Sequence, residues 1–339
     1  MGTVSKDQYK VGEVSAVLNQ TIVDKELTFI NYLKSGGALE NKKDFIFEVL
    51  QTRHKRRIAG VKAFGATAST IRKDVGQKIM ATQMHKKEED SVKESDLIQG
   101  LIVDPKTGKP ATKAQAIAAS RAIVKDKCLS RDEMSMCAIV TTPNHGQDVT
   151  IAGIDDLPVA NDWQVPAANS FTATIPWDSS GANPGKDLAR AVAIMNTAGI
   201  TDIVVFYSTN TGSVIHDLIK RNALTVDQKM LSELTWKLQG IVPDGVFGLR
   251  WGVHNLMYND ATETEQQMFP DGQIALLPVK ASQAFRYYQG LNMINGAHGF
   301  GGREWKDEKN DATVTEGDIV SLAACTNPWG IVTINIYTP

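Results

Sequence analysis

The chain has 339 residues, of which 42% are hydrophobic and 22% are charged, and its 36 Lys and Arg against 38 Asp and Glu give a formal net charge of -2. This composition is typical of a soluble globular protein of roughly two domains, and it excludes a disordered, collagen-like or disulfide-scaffold chain. The near-neutral balance also excludes a polycation built to bind nucleic acid, and no apolar run approaches the roughly 18 residues of a membrane span.

The cysteines and the N-terminus indicate a reducing compartment. Cys128, Cys137 and Cys325 are odd in number and contain no closely spaced pair, so they are predicted to be buried thiols and not disulfides or zinc ligands. The first residues, Met1 to Asp7, lack the apolar core of a signal peptide.

The charge is unevenly distributed along the chain. Residues 51–87 contain ten basic residues and one acidic residue, a net charge of +9, and an acidic cluster from Glu88 to Asp96 follows directly. Large apolar residues are sparse in the basic stretch, and residues 59–70 are rich in Gly, Thr and Ser, which disfavours a helix. A long two-stranded arm projecting from the body fits this texture, and a flexible solvated loop is the alternative.

The basic stretch suggests contact with an oppositely charged surface. Self-association fits, because a basic arm can meet the acidic body of a neighbouring copy. A merely solvated face and a nucleic-acid contact remain as alternatives. Phe64 is the one aromatic residue between positions 51 and 87, which argues against stacking on single-stranded bases.

A long helix is predicted from Thr112 to about Ala138, because alanine, the strongest helix former, is frequent in its first half. Spacings of seven and four residues place Ile117, Val124 and Cys128 on one helix face. The other face is expected to be polar, with Lys125, Lys127, Arg131 and Asp132. Ser130 and Glu133 have the spacing of a capping box, so a break near Leu129 is the alternative to a continuous helix.

The second half has the pattern of a mixed α/β body. Asn183-Pro184 precedes a predicted helix over 186–195, with Leu188, Val192 and Met195 on one face and Gly199 at its C-terminal end. Further helices are predicted at 213–221 and 226–238. Strands are predicted at 202–207, 245–251, 273–279 and 331–337.

No strong catalytic, cofactor or metal motif is present in the sequence. Gly181 to Asp187 resembles a Walker A loop, but it is one residue short and Asp187 stands where Ser or Thr would hold magnesium, so a helix-start turn is preferred. The glycine-rich run from Gly296 to Gly302 is predicted to be a turn or flexible loop. The six histidines lack ligand spacing, so no metal and no cofactor are expected, although a triad assembled only in space stays open.

Several short stretches of the second half stand out by their order and spacing. The first is Ile175-Pro-Trp177-Asp178 followed by Pro184-Gly-Lys-Asp187-Leu188. The second is the run from Ala198 to Phe206 that leads into Gly212-Ser213 and a short helix. The third is Tyr258-Asn-Asp260 followed by Phe269-Pro-Asp-Gly-Gln-Ile274, and Asn327-Pro-Trp329 precedes a terminal strand. Together they resemble the major capsid proteins of tailed bacteriophages, specifically the lambda-type head protein E family.

The resemblance implies an α+β, Hong Kong 97-like phage capsid fold. Its parts would be an N-terminal arm at 1–42, an extended loop at 43–98, a peripheral domain with a spine helix at 99–179 and 301–339, and an axial domain at 180–300. The motifs cover residues 150–339, and the earlier residues match by the order and texture of their elements.

The resemblance also implies a structural function, not an enzymatic one. The chain would be the major head protein, self-assembling in the host cytoplasm as hexamers and pentamers into an icosahedral virion shell around double-stranded DNA. A portal protein, a separate scaffolding protein and, optionally, a decoration protein would be its partners; the DNA would be contacted non-specifically, and no membrane is expected. In the extended loop, the residues expected to contact acids of a neighbouring subunit are Arg53, Lys55, Arg56, Arg57, Arg72 and Lys73.

Two competing interpretations remain at the level of the sequence. One is an encapsulin-like cellular compartment, which shares this fold and encloses cargo enzymes, and the lambda-type motifs argue against it. The other is a cytosolic α/β enzyme with a dispersed site.

Overall fold

Two five-stranded sheets, each with its own helices and buried core, form the body of the protein. The computed structural model describes residues 27–52, 77–104, 107–141, 161–221, 241–242, 244–259, 262 and 264–338. The helices are α1 (Thr28–Ser35), α2 (Glu94–Ile98), α3 (Lys113–Thr141), α4 (Pro184–Thr197) and α5 (Thr209–Arg221). The strands are β1 (Leu39–Asn41), β2 (Ile46–Gln51), β3 (Gln77–Thr82), β4 (Met84–Lys93), β5 (Ser170–Thr172), β6 (Ile203–Tyr207), β7 (Arg250–Val253), β8 (Met257–Asn259), β9 (Glu265–Gln267), β10 (Gln273–Pro278), β11 (Phe285–Gln289), β12 (Gly301–Asp307), β13 (Ala312–Cys325) and β14 (Val332–Asn335).

The first sheet is organised around β13. Its strand order is β1-β11-β13-β12, and β4 also pairs with β13. The β1–β11 pair is parallel, and every pair that β13 makes is antiparallel. Helices α1 and α3 pack against this sheet, and Phe29, Leu33, Met136 and Ile139 are among the buried residues of their shared core. A central strand that is buried along almost its whole length needs cover on both faces.

The long helix is confirmed at Lys113–Thr141, three residues longer at its C-terminus than predicted. It runs without the break considered near Leu129, because Glu133 does not cap its own helix but accepts hydrogen bonds from the backbone of α1. The predicted polar face is wrong at two positions, because Lys125 and Asp132 are both buried. Asp132 is fully buried, since side chains of the first sheet bind its carboxylate.

The second sheet has the order β5-β14-β10-β6-β7, with α4 and α5 beside it. The predicted helix at 186–195 and strands at 202–207, 273–279 and 331–337 are confirmed within a few residues. The helix predicted at 213–221 begins earlier, at Thr209. The strand predicted at 245–251 is wrong in its first half, because Gly245 and Phe247 have positive φ and form a short 3-10 turn before β7. The helix predicted at 226–238 lies outside the described residues.

All three thiols are buried, as predicted. Burial raises the pKa of the Cys128 thiol to about 12 and raises the pKa of Cys137 and Cys325 as well. Because the thiolate is the reactive species, the folded protein is expected to leave all three thiols unmodified by a disulfide-exchange reagent at pH 8, whereas the denatured chain reacts fully. A thiol that reacts rapidly in the folded protein would contradict this burial.

Lys125 on α3 is almost entirely buried, with its Nζ 5.6 Å from the centroid of the Phe300 ring. Burial and the nearby Lys34 lower its pKa from 10.5 to about 8. The folded state therefore binds fewer protons than the unfolded state between pH 8 and 10.5, and this group's contribution to the free energy of unfolding increases as pH rises through that window.

Replacing Lys125 with methionine is expected to stabilise the protein at pH 7 by about 1–2 kcal/mol. This gain is smaller than the full pKa shift of Lys125 implies, because the contact of the ammonium group with the Phe300 ring is also lost. Thermal unfolding of both proteins at pH 7 and pH 9.5 measures the effect. The advantage of the variant should shrink at the higher pH, and an equal advantage at both values would show that the Lys125 charge is not responsible.

Candidate functional site

Strands β2 and β3 form an antiparallel hairpin whose inner face is fixed to the body. Phe47, Val49, Ile79 and Ala81 are buried, and the Phe47 ring meets the Tyr288 ring of the first sheet edge-on with centroids 4.8 Å apart. At the far end of β2, the Gln51 side chain donates to the backbone carbonyls of Trp163, at 2.9 Å, and Cys325, at 3.0 Å. The hairpin is therefore held firmly where it leaves the body.

The outer face of this hairpin is apolar and exposed. Ile46, Leu50 and Met80 are each more than half exposed, and they alternate with the buried residues along the two strands. Between them, Lys78 and Glu48 form an ion pair at 2.6 Å. An exposed apolar face with a polar pair at its centre is typical of a surface that contacts another protein. We refer to Ile46, Leu50 and Met80 as the hairpin face.

The hairpin strands flank the segment that contains every predicted site residue. Arg53, Lys55, Arg56, Arg57, Arg72 and Lys73 all lie outside the described residues, between the end of β2 and the start of β3. The pairing of these strands supports a two-stranded base for the predicted arm.

Three other basic residues of the stretch, Lys78, Lys86 and Lys87, pair with acids of the same chain, and Lys62 lies outside the described residues. Lys86 is buried and pairs with Asp132, and Lys87 lies 3.4 Å from the buried carboxylate of Glu316. These side chains stabilise the first sheet, so they are not available for the contact that the sequence suggested for the basic stretch as a whole.

The acidic cluster lies on β4 and α2, beside α3. Glu88 pairs with Lys127 at 3.5 Å, and Glu94 pairs with Lys113 at 2.5 Å. These are partly exposed pairs that contribute little stability. Glu89 is exposed on β4.

The first motif of the resemblance holds the second sheet to α4. The buried Asp187 carboxylate accepts hydrogen bonds from Trp177 Nε1, at 3.1 Å, and from Thr174 Oγ1, at 3.1 Å. Asn183 Oδ1 accepts from Lys186 N at 3.1 Å and caps the helix, with Pro184 in its first turn. The helix-start interpretation of this Walker-like stretch is confirmed, and Asp187 is a structural anchor.

The Phe269-Pro-Asp-Gly272 motif joins β10 to the start of α5. The Asp271 carboxylate accepts from Ser208 Oγ, at 2.5 Å, and from Asn210 Nδ2, at 2.8 Å. Gly272, at φ +76°, donates its backbone N–H to Thr211 Oγ1 at 3.0 Å. The turn requires a glycine in this left-handed conformation and supplies polar groups that fix the first turn of α5.

Residues 296–300 of the glycine-rich run form a turn, as predicted, whereas Gly301 and Gly302 begin strand β12. Gly296 and Gly299 have positive φ, and Asn292 Nδ2 donates to the carbonyl of Ala297 at 2.7 Å.

Among the described residues, no cluster of His, Cys, Asp and Glu is arranged to hold a metal ion. None of the helices in the described part of the chain is long and apolar enough to cross a membrane.

The sequence matches a known protein family over most of its length. The model of the family described as phage major capsid protein E matches residues 41–336, from the end of β1 to the residue after β14. No curated protein sequence matches the chain.

Solved structures share the fold at low sequence identity. A phage-related protein of Bordetella bronchiseptica RB50 is 14% identical, with a TM-score of 0.58 over 97% of this chain and 98% of that chain. The capsid protein assigned to a prophage of Escherichia coli CFT073 is 14% identical, with a TM-score of 0.52 over 77% of this chain and 79% of that chain. A chain of the satellite phage P4 procapsid, a structure that includes the size determination protein, is 10% identical to this chain, with a TM-score of 0.51 over 96% of both chains.

Proposed function

The chain belongs to the phage major capsid protein E family, and we propose that its copies assemble as hexamers and pentamers into the icosahedral head shell that encloses phage double-stranded DNA. It is a major capsid protein of the virion with an α+β, Hong Kong 97-like fold. The family match over residues 41–336 carries this conclusion. The encapsulin-like alternative is not favoured. The proteins that this chain resembles are structural, not enzymatic.

The domain division that we propose follows the order of the elements. An arm at 1–42 precedes an extended loop at 43–98 that contains the β2–β3 hairpin. A peripheral domain at 99–179 and 301–339 contains α3 as its spine helix, and an axial domain at 180–300 contains α4 and α5. Each sheet contains strands from both of these proposed domains, because β11 of the axial range pairs with β13 of the peripheral range, and β10 of the axial range pairs with β14 of the peripheral range.

The extended loop is proposed as a contact between neighbouring subunits. The hairpin face exposes large apolar side chains, which contribute free energy when a second protein buries them. The segment beyond it carries Arg53, Lys55, Arg56 and Arg57, and Glu89 lies exposed on β4. An apolar contact flanked by complementary charge fixes both the affinity and the register of copies in a shell.

Reversing Arg53, Lys55, Arg56 and Arg57 to Glu is expected to reduce the yield of assembled shells at least tenfold and to make the remaining particles less resistant to salt. The reason is that like charges would then meet across the contact. Electron microscopy and sedimentation measure the yield. A control that reverses Lys186 and Lys280, two exposed lysines outside the loop, should assemble normally. Unchanged assembly of the fourfold variant would reject the role of these residues.

The test of the proposed function is particle formation by the purified full chain. Negative-stain electron microscopy and light scattering after size exclusion are expected to show shells, tubes or ring-shaped capsomers. A compact monomer at high concentration, with a melting temperature that shifts on adding a small ligand, would instead favour the enzyme interpretation.

The partners that we propose follow from the function in the family. They are a portal protein, a separate scaffolding protein, an optional decoration protein and the packaged DNA. Because the chain is near-neutral, we expect DNA to be confined by the shell and not bound tightly. A sequence-dependent gel shift with free subunits at physiological salt would contradict this expectation.

A further inference from the structure

A short segment, residues 161–164, runs beside the β2–β3 hairpin and is hydrogen-bonded to both of its strands. Asn161 is buried, and its Oδ1 accepts from Thr82 N at 3.0 Å while its Nδ2 donates to Thr82 O at 3.3 Å. One side chain therefore pairs with both backbone polar groups of the last residue of β3, as a neighbouring strand would. We refer to residues 161–164 as the bracket.

The later residues of the bracket hold the other end of the hairpin. The Trp163 carbonyl accepts from Nε2 of Gln51, the last residue of β2, at 2.9 Å. Nε2 of Gln77, the first residue of β3, donates to Gln164 Oε1. Because Gln77 and Thr82 lie at opposite ends of β3, the bracket spans the whole length of that strand.

The bracket is itself fixed to the body of the protein. Trp163 is fully buried in the core that the first sheet shares with its helices. Gln164 has φ +50°, a left-handed conformation that a residue other than glycine keeps only where the surrounding contacts impose it. Its backbone N–H donates to Asp162 Oδ1 at 2.8 Å, which closes the turn. A strained turn between a buried anchor and the hairpin indicates an element that imposes a geometry.

The direction of the hairpin is sensitive to such contacts. Its two strands have six residues each, which is about 20 Å at roughly 3.4 Å per residue. A tilt of about 10° at one end of a strand of about 20 Å moves the other end by about 3.5 Å. A gap of about 1 Å already removes up to half of the attraction between packed atoms. The orientation of the hairpin therefore decides where the hairpin face can make a packed contact.

We propose that the bracket is a positioning device, which through Asn161 and Gln51 sets the direction in which the β2–β3 hairpin leaves the body, and thereby the size of the particles that the chain forms. The inference rests on the proposed function, since particle size has meaning only for an assembly. The contacts that carry it lie within one chain. Closed shells require copies to join at defined angles, so an orientation fixed before the copies meet favours one particle size over others.

Asn161→Ala is the variant that tests the bracket, and Asn169→Ala is its matched control. Both asparagines are 3% exposed, and Asn169 Nδ2 donates to Ile331 O at 2.8 Å, next to β14 and not to the hairpin. Both variants are expected to lower the melting temperature by a similar amount, because each loses hydrogen bonds between a buried amide and the backbone. By electron microscopy, Asn161→Ala alone should give at least tenfold fewer shells of the wild-type diameter, with tubes or shells of other diameters in their place.

Hydrogen exchange in the unassembled subunit measures the hold on the hairpin directly. We expect the amide protons of β3 to exchange at least tenfold faster in Asn161→Ala than in the wild type, and to be unchanged in Asn169→Ala. Equal exchange of β3 in the two variants, or shells of the wild-type diameter from Asn161→Ala, would overturn the proposal. If Asn161→Ala does not fold, the same two measurements apply to Gln51→Met, which keeps the side-chain volume but loses the hydrogen bonds to Trp163 O and Cys325 O.

The outcome for the wild-type chain separates the two proposals. If the wild-type chain forms shells and the Asn161→Ala shells have the same diameter, the inference falls and the proposed function stands. If the wild-type chain forms no particle under any condition in which it is folded and concentrated, both fall together.

Discussion

Replacing Glu133 with alanine is expected to lower the free energy of unfolding by about 3–5 kcal/mol, the range for removing one partner of a buried charged network. Glu133 lies on α3 and is fully buried. Its two oxygens accept hydrogen bonds from the backbone N–H groups of Phe29, at 2.6 Å, and Ile30, at 2.9 Å. These N–H groups lie in the first turn of α1, which has no side-chain cap of its own.

His254 adds a third element to this joint. Its Nε2 lies 2.9 Å from Glu133 Oε1, and its Nδ1 has no hydrogen-bond partner among the described residues. An imidazole that carries a proton on Nε2 and donates it to Glu133 fits this geometry. Because His254 follows β7, Glu133 links α3, α1 and the second sheet. Alanine would leave two backbone donors and one ring donor buried without an acceptor.

Urea unfolding of the full chain measures the loss, with two variants for comparison. Glu133→Gln keeps the shape and one acceptor oxygen, so its loss should be smaller than that of alanine. Glu88→Ala is the matched control, because it removes a carboxylate that contacts the same helix in a partly exposed pair with Lys127. We expect Glu88→Ala to cost less than about 1 kcal/mol. Equal losses for Glu133→Ala and Glu88→Ala would show that the joint does not stabilise the fold.

The elements with a strong local pattern were predictable from the sequence. Helix α3 follows from its run of alanines, and α4 follows from the Asn183-Pro184 start and the Leu188 face. The apolar run at 203–207 gives β6. In each of these segments the local preference and the final structure agree, so no distant residue is needed to explain them.

Strand β13, the centre of the first sheet, was missed. It contains Glu316 and Asp318, which are almost never buried unless they are paired. Both are buried because partners arrive from neighbouring strands: Arg303 Nη2 lies 2.8 Å from Glu316, and His85 Nε2 lies 3.2 Å from Asp318. Burial also raises the pKa of Asp318. The pairing depends on residues far apart in the sequence, which a local pattern does not reveal.

The candidate assembly site was predicted only in part. Charge located the extended loop, but the hairpin face was missed, because residues 46–51 do not alternate between apolar and polar side chains in the sequence, although they alternate between exposed and buried in the structure. Which face is outward depends on Tyr288, over 200 positions away, which covers Phe47. The loop residues Arg53 to Lys73 lie outside the described residues, so their role stays a prediction.

Replacing Asp132 with leucine is the second change with a large expected effect, also about 3–5 kcal/mol. Asp132 is fully buried on α3 beneath the first sheet. Its carboxylate pairs with Lys86 of β4 and accepts hydrogen bonds from Tyr287 Oη, at 2.7 Å, and from Ser321 Oγ, at 2.7 Å. Burial and the charge of Asp132 raise the pKa of Tyr287, so the phenol stays protonated and donates. Leucine would leave the Lys86 ammonium buried without its counter-charge.

A double-mutant cycle with Lys86→Met separates the ion pair from the rest of the network. Removing both charges replaces a buried pair with apolar side chains, which is often tolerated, whereas removing either one strands the other. We therefore expect the double variant to lose less free energy of unfolding than the sum of the losses of the two single variants. The difference, measured by urea unfolding, should be about 2–3 kcal/mol. The hydroxyls of Tyr287 and Ser321 still lose an acceptor, so the double variant should stay below the wild type. Strict additivity would mean that Lys86 is solvated independently of Asp132, and that β4 is held to α3 by its apolar contacts alone.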